Sequence, residues 1–573
     1  MTTLVILRFL GIFAVYTGVT LALPALMFRR ILRGRSLAEQ FLMCYTFGNF
    51  YIINIVFLLQ LLHISNFFTL AGLTAVLSIV IGGRVNRIPL KQQAGNTWHL
   101  FGKLLRGRMK LKSAIFLFLG KCAAGIKRLA KFFYRHIVKN PIQSMLLLGI
   151  GVCLCWIYGR QIILVYGYRA SDIPVHMSWI NEMSRGKIFA KGVYPFGFHC
   201  MIYYLHAVFR FDTYVILCQF FFAQVIFMHL VLLAMLKQLC KTKYIPYIGT
   251  FVFLLGNFWS GQTYSRFYAT LPQEFGMIFV IPSIYFLIRF FQIPKQKLAD
   301  KETRLTLQCF AMAFSLTLAI HFYGTMIAGL CCIGIACGFC FRFLRKEYFR
   351  RIMFTGICSV FLAVLPMGIA FATGTPLQGS LGWGLSVING GKSSSSTETE
   401  AETDEAETLE VSTGDDKNTV RVVKPDGTVM EIDVSDLPSA QENESGGWTQ
   451  TETTAPAVPK VSFGEKIRKI PGKAKNALSE MSSRILEFII KLDVKNIGYM
   501  ILASFALLLL LGFIFCVFRQ PGYGAMLMSM GFCMWIVTIL LCANVFGLPP
   551  LMDGARCSIY YVYLLSAALT ALA

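Results

Sequence analysis

Apolar and polar positions alternate along this chain on the scale of about twenty residues, the length of a helix that crosses a bilayer, and not on the two-residue period of a half-buried strand. Apolar runs cover Leu4–Phe28, Ala38–Leu62, Phe67–Gly83, Met145–Tyr166, Tyr214–Leu236, Ile245–Trp259, Gly276–Phe291, Leu305–Ile320, Tyr323–Phe343, Ile352–Thr373, Asn496–Phe518, Tyr523–Val545 and Ser558–Ala573. They predict an all-α polytopic membrane protein of about 12–13 transmembrane helices. A helix satisfies its own backbone in lipid, and the alternating ten-residue runs of a membrane β-barrel are absent. Phe196–Phe209, followed by Arg210 and Asp212, is too short to cross and reads as a juxtamembrane helix on the outer surface. The first run has neither a basic n-region nor a cleavage site and reads as a retained span.

Composition agrees: of 573 residues 56% are hydrophobic and 50 are Phe, with a mean hydropathy of +0.61. A net charge of +25 would suggest nucleic acid as the partner of a soluble chain. Here the cations gather in short loops, where the positive-inside effect accounts for them, so no nucleic-acid partner is expected. With the N-terminus outside, Arg29, Arg30, Arg33 and Arg35, the segment Arg84–Asn140, Lys237, Lys241 and Lys243, Lys295, Lys297 and Lys301, and Arg342 to Arg351 all fall on the cytoplasmic side. The loops carrying Asp172, Glu274 and Asp553 then face outward. Lys110–Lys139 interleaves basic residues with Ile115, Phe116, Phe118, Phe132 and Phe133, the pattern of an amphipathic helix on an anionic leaflet. Of the 17 cysteines, Cys153, Cys155, Cys331, Cys332, Cys337, Cys340, Cys516 and Cys533 lie inside apolar runs and act as small hydrophobes, without the setting of a zinc site.

The chain divides into three N-terminal spans (1–83), a basic interfacial segment (84–142), a transmembrane core (143–373) with an outer loop at 167–213, a polar insertion (374–495) and C-terminal spans (496–573). The insertion opens on the low-complexity run SSSSTETEAETDEAET and holds more than half of the 29 acidic residues, a composition that stays solvated. Within it TVRVVKPDGTVMEIDV predicts a small hairpin about a Pro-Asp-Gly turn, and Asn443-Glu444-Ser445 is a formal sequon. Phe463–Lys495 reads as an amphipathic helix pair broken at Pro471-Gly472. Its Lys466, Arg468, Lys469, Lys473 and Lys475 lie outside against the charge rule, either balancing the acidic insertion or serving phosphate.

The chemistry concentrates in Tyr166–His199, between two spans: Asp172, His176, Trp179, Glu182, Arg185, Lys187, Tyr194 and His199. Loops held by a rigid scaffold are where function sits, so this one is the candidate site. Asp172 and His176 stand four apart, on one helix face with Ile180 and Met183. An ionised Asp beside aromatic and histidine side chains is fit to act as a general base on a hydroxyl. It is equally placed to cap the helix that opens at Ile173-Pro174, and the two roles are compatible. Asp172, His176 and His199 also have the composition of a two-histidine, one-carboxylate metal site, if the fold assembles them.

An outward span, an external loop with an Asp just past the membrane, the YPFGFH element at Tyr194–His199, many further spans and the late Asp553-x-x-Arg556 loop together resemble the GT-C superfamily of integral-membrane glycosyltransferases, over about Met145–Ala573. The resemblance implies a GT-C-like fold with outer-face juxtamembrane helices. It also implies inverting transfer of a hexose or pentose from a polyprenyl-phosphate-linked donor to a cell-envelope glycan, lipid or protein acceptor, on the extracytoplasmic face of the cell membrane. Asp172 takes the role of base and Arg556 that of phosphate holder, with His176, Glu182, Arg185, Tyr194, His199, Arg266, Glu274, His321 and Asp553 as substrate-binding candidates. A divalent cation, Mg or Mn, is the candidate cofactor. The chain departs from the pattern in its three leading spans, its acidic insertion and the absence of a paired Asp-Glu in the first loop. Two other classes remain: a transporter or flippase of lipid-linked sugars, and a scaffold of an envelope assembly. Asp553 and Arg556, three apart, are expected to pair, as a phosphate grip or as an interfacial anchor.

Overall fold

The computed structural model describes residues 2–87, 95, 98–99, 102–108, 110–165, 167–260, 265–379, 410–413, 419–423, 429–433, 463–489, 496–518, 520–549 and 551–573, with backbone alone for the strands, for 463–474 and for parts of 111–137. The chain is helical along its apolar runs. In order, the helices are α1 (Thr2–Met27), α2 (Leu37–Leu61), α3 (Phe67–Asn86), the basic α4 (Leu111–Lys139) and α5 (Pro141–Leu164). The site loop holds α6 (Ile173–Ser184) and α7 (Gly197–Phe209), followed by α8 (Thr213–Leu239) and α9 (Ile245–Trp259). Next come α10 (Pro272–Gln292), α11 (Lys301–Ile320), α12 (Phe322–Gly338) and α13 (Lys346–Ala372). The last four are α14 (Phe463–Phe488), α15 (Ile497–Phe518), α16 (Pro521–Leu541) and α17 (Gly554–Leu572). Eleven described helices are long and apolar enough to cross a membrane, and α9 and α12 are shorter apolar helices. The protein is an all-α polytopic membrane protein.

The helix starts are written in the sequence. The Ser36 hydroxyl accepts from the Glu39 amide at 3.2 Å, Asn66 and Thr69 form a capping box, and the Asp212 carboxylate accepts from Val215 at 3.2 Å. Pro at the first turn opens α5, α6, α9, α10 and α16. α1 and α5 each contain a π-turn, Gly18–Ala22 and Cys155–Gly159.

The connecting loops sort to two ends. At one end Arg35 pairs with Glu302 at 2.5 Å, Gln238 donates to Ser36, Lys241 to Gln520, and Arg342 to the Phe291 carbonyl. Lys295 pairs with Glu347, and the Arg30 amide meets Asn86. The basic loops therefore meet at a single basic end. At the opposite end Gln60 donates to the Met183 carbonyl at 2.8 Å, His63 meets the Gly186 carbonyl at 2.9 Å, and Gln273 donates to the Arg556 carbonyl at 3.5 Å.

Two expectations are corrected. α7 does not lie along a surface: Gly197 to Leu205 are all buried, wedged among α2, α6 and α8, because Phe198, Met201, Ile202 and Leu205 leave it apolar around its circumference. Phe463–Phe488 is one helix through Pro471-Gly472; a proline removes one intrahelical bond and does not oblige the chain to leave the helix. Residues Gly390–Pro471 form a unit of their own. In it Thr419–Val423 (β2) pairs antiparallel with Val429–Asp433 (β3), Val420 facing Ile432. Glu410–Thr413 (β1), not anticipated, adds a third strand on β2. The SSSSTETE run, the sequon and the Pro-Asp-Gly turn lie outside the described residues.

α1 and α2 cross closely. The Tyr16 hydroxyl meets that of Tyr45 at 2.7 Å and donates to Asn49 at 3.0 Å. Gly48 permits the approach, since a Cβ there would sit 2.4 Å from the Thr20 carbonyl oxygen. Gly48→Ala is therefore expected to lower thermal stability in detergent, by about 1–3 kcal/mol as for other overpacked sites. Gly149→Ala, where nothing lies within 4 Å, is expected to be neutral or stabilising. Equal melting of both variants and the parent would remove the close crossing.

Candidate functional site

Five separate pieces of chain converge at the end opposite the basic loops: α6, the Tyr194–His199 segment opening α7, the start of α10, the α11–α12 turn at His321, and the start of α17. Pro195 keeps the chain extended up to Phe196, and Gly197 lets α7 begin against the end of α11. A Cβ at Gly197 would sit 2.8 Å from the Ala319 carbonyl oxygen. That contact brings His199 and His321 into one neighbourhood. Val193, just before the segment, donates to the Pro376 carbonyl at 2.8 Å and accepts from Gln378 at 3.2 Å, so the loop is stitched to the chain leaving α13.

One half of the site is an aromatic and histidine block. His176 Nδ1 and His199 Nε2 share a hydrogen bond of 3.1 Å. Trp179 stacks on Phe196 with centroids 5.5 Å apart and lies 5.3 Å from the His199 ring, and Tyr194 meets Trp179 edge-on at 5.4 Å. Burial forces these imidazoles toward the neutral form. It holds His176 down at about 4, against the upward pull of the Asp172 charge. His321 is held at about 3 by burial reinforced by Arg556 and Arg266. His199 lies well below the usual range through burial, then through His176 and His321. The Tyr194 phenol is pushed up by burial, with Arg556 opposing.

The other half carries charge. Arg266 Nε donates to Glu274 at 2.6 Å, a pair in which the Glu274 side chain is 2% exposed, and the Glu274 charge raises the Arg266 pKa further. Arg266 also reaches Gln273 at 3.3 Å. Arg556 lies over the Tyr323 ring, 5.6 Å from its centroid, a cation–π contact. No protein family model, curated protein or solved structure matches this chain.

The site's geometry separates the candidates into committed and uncommitted groups. Arg266 and Glu274 neutralise each other. Glu182 and Arg185 pair at 2.6 Å on the far turn of α6, with Arg185 73% exposed, and take no part in the cluster. Asp553 does not pair with Arg556; its carboxylate accepts from the Ala555 amide at 3.2 Å as the cap of α17. Asp172 stands at the start of α6 but makes no side-chain cap bond and, among the described residues, accepts only from the Ser171 hydroxyl, at 3.2 Å. Among the described residues neither Asp172 nor Arg556 has an ion-pair partner, and both are half-buried. Their charges both act on Tyr194. Sequence reasoning left Gln273, Tyr323 and Tyr560 out of the site, since only the fold sets them against Arg266 and Arg556. Tyr166, where the site loop opens, lies outside the described residues.

Among the described residues no three His, Cys, Asp or Glu side chains gather as a metal-ligand set. The grouping of Asp172, His176 and His199 is not assembled, because the two imidazoles are bonded to each other and the carboxylate to Ser171. The mechanism proposed for the site uses no metal.

The histidine block gives a pH signature. At pH above the unfolded value near 6.5 both states are neutral and the packing contributes in full. Between that value and about 4 the unfolded segment takes up a proton that folded His176 refuses, so stability falls with pH by roughly 1.4 kcal/mol per unit and per histidine. Hydrogen-exchange protection factors over α6 and α7, corrected for the intrinsic exchange rate at each pH, are expected to fall from pH 6.5 toward 4, with no matching change in α15. His199→Phe should weaken the acid response; a flat profile in the parent would contradict the buried-neutral assignment.

Proposed function

We propose that the chain is a membrane glycosyltransferase of the GT-C type. It moves a sugar from a polyprenyl-phosphate donor to the hydroxyl of a cell-envelope glycan, lipid or protein acceptor. The observation that carries the reading is the pairing of uncommitted opposites: a carboxylate, Asp172, and a guanidinium, Arg556, each without an ion-pair partner among the described residues, both acting on Tyr194. Folded chains rarely leave such charges uncompensated, and sites that await charged or hydroxylated ligands do so. The end that carries them is opposite the basic loops, which under the positive-inside effect supports the extracytoplasmic face of the cell membrane.

In this mechanism the acceptor O–H gives its proton to Asp172 as its oxygen forms a bond to the anomeric carbon. The bond from that carbon to the phosphate oxygen breaks on the opposite side, inverting the centre, and the electron pair leaves with the polyprenyl phosphate. Arg556 bears on the growing negative charge through a two-pronged contact that its guanidinium geometry suits. Tyr323, beneath it, holds the guanidinium plane in place of the Asp553 carboxylate first expected there. The proton on Asp172 returns to water, since the residue is half-exposed.

Asp172→Asn is expected to cut turnover by about 10²–10⁴-fold while leaving donor affinity near the parent's, and Arg556→Lys to weaken donor binding and transfer without loss of folded protein. Isothermal titration with a panel of polyprenyl-phosphate sugars, beside single-turnover transfer, separates the two. Donor binding without any transfer in the parent would replace this reading with lipid-linked sugar transport, and an Arg556→Lys variant indistinguishable from the parent would remove the phosphate role.

A further inference from the structure

The first half of α14 carries a charge pattern that the site above does not use. Phe463–Lys475 holds five cations, Lys466, Arg468, Lys469, Lys473 and Lys475, against one carboxylate, Glu465. The second half, Asn476–Phe488, holds one cation, Arg484, against Glu480 and Glu487, and Arg484 pairs with Glu487 at 3.3 Å. α14 is a single helix over both halves, so the change of charge is not a change of structure.

The apolar residues continue across that change. Helical spacing sets Ile467, Ile470, Ala474, Leu478, Met481 and Ile485 along one line of the helix. The later part of the line is covered by protein: Met481 is 3% and Ile485 0% exposed. A Cβ on Gly498 of α15 would sit 2.2 Å from the Ser482 hydroxyl, and the Phe488 ring lies against Gly554 of α17. The second half is thus seated against the starts of two spans, at the end that carries Arg556. One turn earlier the cover ends. Leu478 is 39% exposed, and Lys475 and Asn476 are exposed. The line runs on through Ala474, Ile470 and Ile467, and there the cations begin to flank it. Lys466 and Lys473, seven apart, fall on one side, and Arg468 and Lys475, also seven apart, on the other.

This pattern selects the occupant. A partner made only of carboxylates, such as the chain's own acidic run, satisfies the cations and leaves the apolar line uncovered. A neutral bilayer covers the line and leaves the cations unmatched. An anionic lipid surface does both, with acyl chains under the apolar line and phosphates beside the basic flanks. Lysine and arginine suit that boundary, since their stems lie along apolar surface while their heads stay at the level of the phosphates. Tyr499 and Met500, at the start of α15, are exposed, so apolar protein surface lies beside the seated half. We infer that the first half of α14, Phe463–Lys475, binds anionic phospholipid headgroups in the leaflet at the site's end. This gives a partner to five cations that the charge rule leaves unexplained on that side of the membrane, and it does not rest on the transferase reading.

The test uses the full chain in phosphatidylcholine nanodiscs carrying a trace of one of two photoactivatable probes, phosphatidylglycerol or phosphatidylcholine, with the same diazirine at the same acyl position. Cross-linked peptides are mapped by mass spectrometry after pepsin digestion. The phosphatidylglycerol probe is expected to label residues 463–478 several-fold more than the phosphatidylcholine probe, while both label the exposed apolar stretch 357–371 of α13 equally. Lys466→Gln, Arg468→Gln, Lys469→Gln, Lys473→Gln and Lys475→Gln together, which leave Met481 and Ile485 in place, should bring the two probes level at 463–478. Raising the salt concentration should shrink the preference in the parent, a measurement that stands even if the combined variant folds poorly. Equal labelling by both probes in the parent, or a preference that survives the glutamine substitutions, overturns the proposal. Displacement of the anionic probe by inorganic phosphate at constant ionic strength would mark a free-phosphate site and overturn it as well. So would a preference that emerges only after deletion of Ser393–Glu410, which makes the acidic run the occupant.

Discussion

Hydrocarbon accepts a helix and refuses a loose charge, and nearly every feature of this chain answers to that. The backbone bonds of the spans close within each helix, so polar side chains are free to collect where the helices end. At one end they collect as cations that tie loop to loop, Arg35 to Glu302 and Lys295 to Glu347. At the other they collect as a small number of groups from distant parts of the chain. There the Arg266–Glu274 pair is the fixed point. A carboxylate so enclosed is costly without a cation beside it, and the pair pins the start of α10 so that Gln273 reaches the backbone of Arg556. Around that pin Asp172 and Arg556 have no ion-pair partner among the described residues, an arrangement that a hydrocarbon-bounded fold allows only near water.

The spans were legible because apolar runs of about twenty residues carry one meaning in a sequence. The placement of α7 was not, since a thirteen-residue apolar helix is compatible with an interface or an interior, and the choice rests on neighbours far off in sequence such as Ala319. Residues of the site were legible one by one, and their pairings were not. Asp553 and Arg556 stand three apart, but that spacing brings side chains together only inside a helix. Asp553 lies one residue before the first turn and spends its carboxylate on the Ala555 amide instead. Asp172, another helix-start aspartate, adopts helical backbone angles at its own position and leaves its carboxylate off the amides. The same residue type at the same kind of position thus gives a cap in one place and an available charge in the other. The difference lies in a backbone angle that composition does not encode.

The histidines make a related point. Three of the chain's eight sit in one cluster, a density that sequence alone reads as metal binding or proton traffic. In the fold, His176 and His199 share one hydrogen bond and wall the aromatic block. Their identity serves packing at least as much as chemistry, and among the described residues His199 Nδ1 and, unremarked in the sequence, His229 Nε2 are buried imidazole nitrogens without a hydrogen-bond partner.

The long insertion leaves and re-enters the membrane bundle at two fixed footings. Pro376 and Gln378 are hydrogen-bonded to Val193, the residue before Tyr194. At the far side the Phe488 ring presses on Gly554, where a Cβ would come within 2.6 Å, two residues before Arg556. The chain therefore departs from the bundle beside Tyr194 and returns to it beside Arg556, so a substitution at either footing reaches the site through one or two residues of backbone.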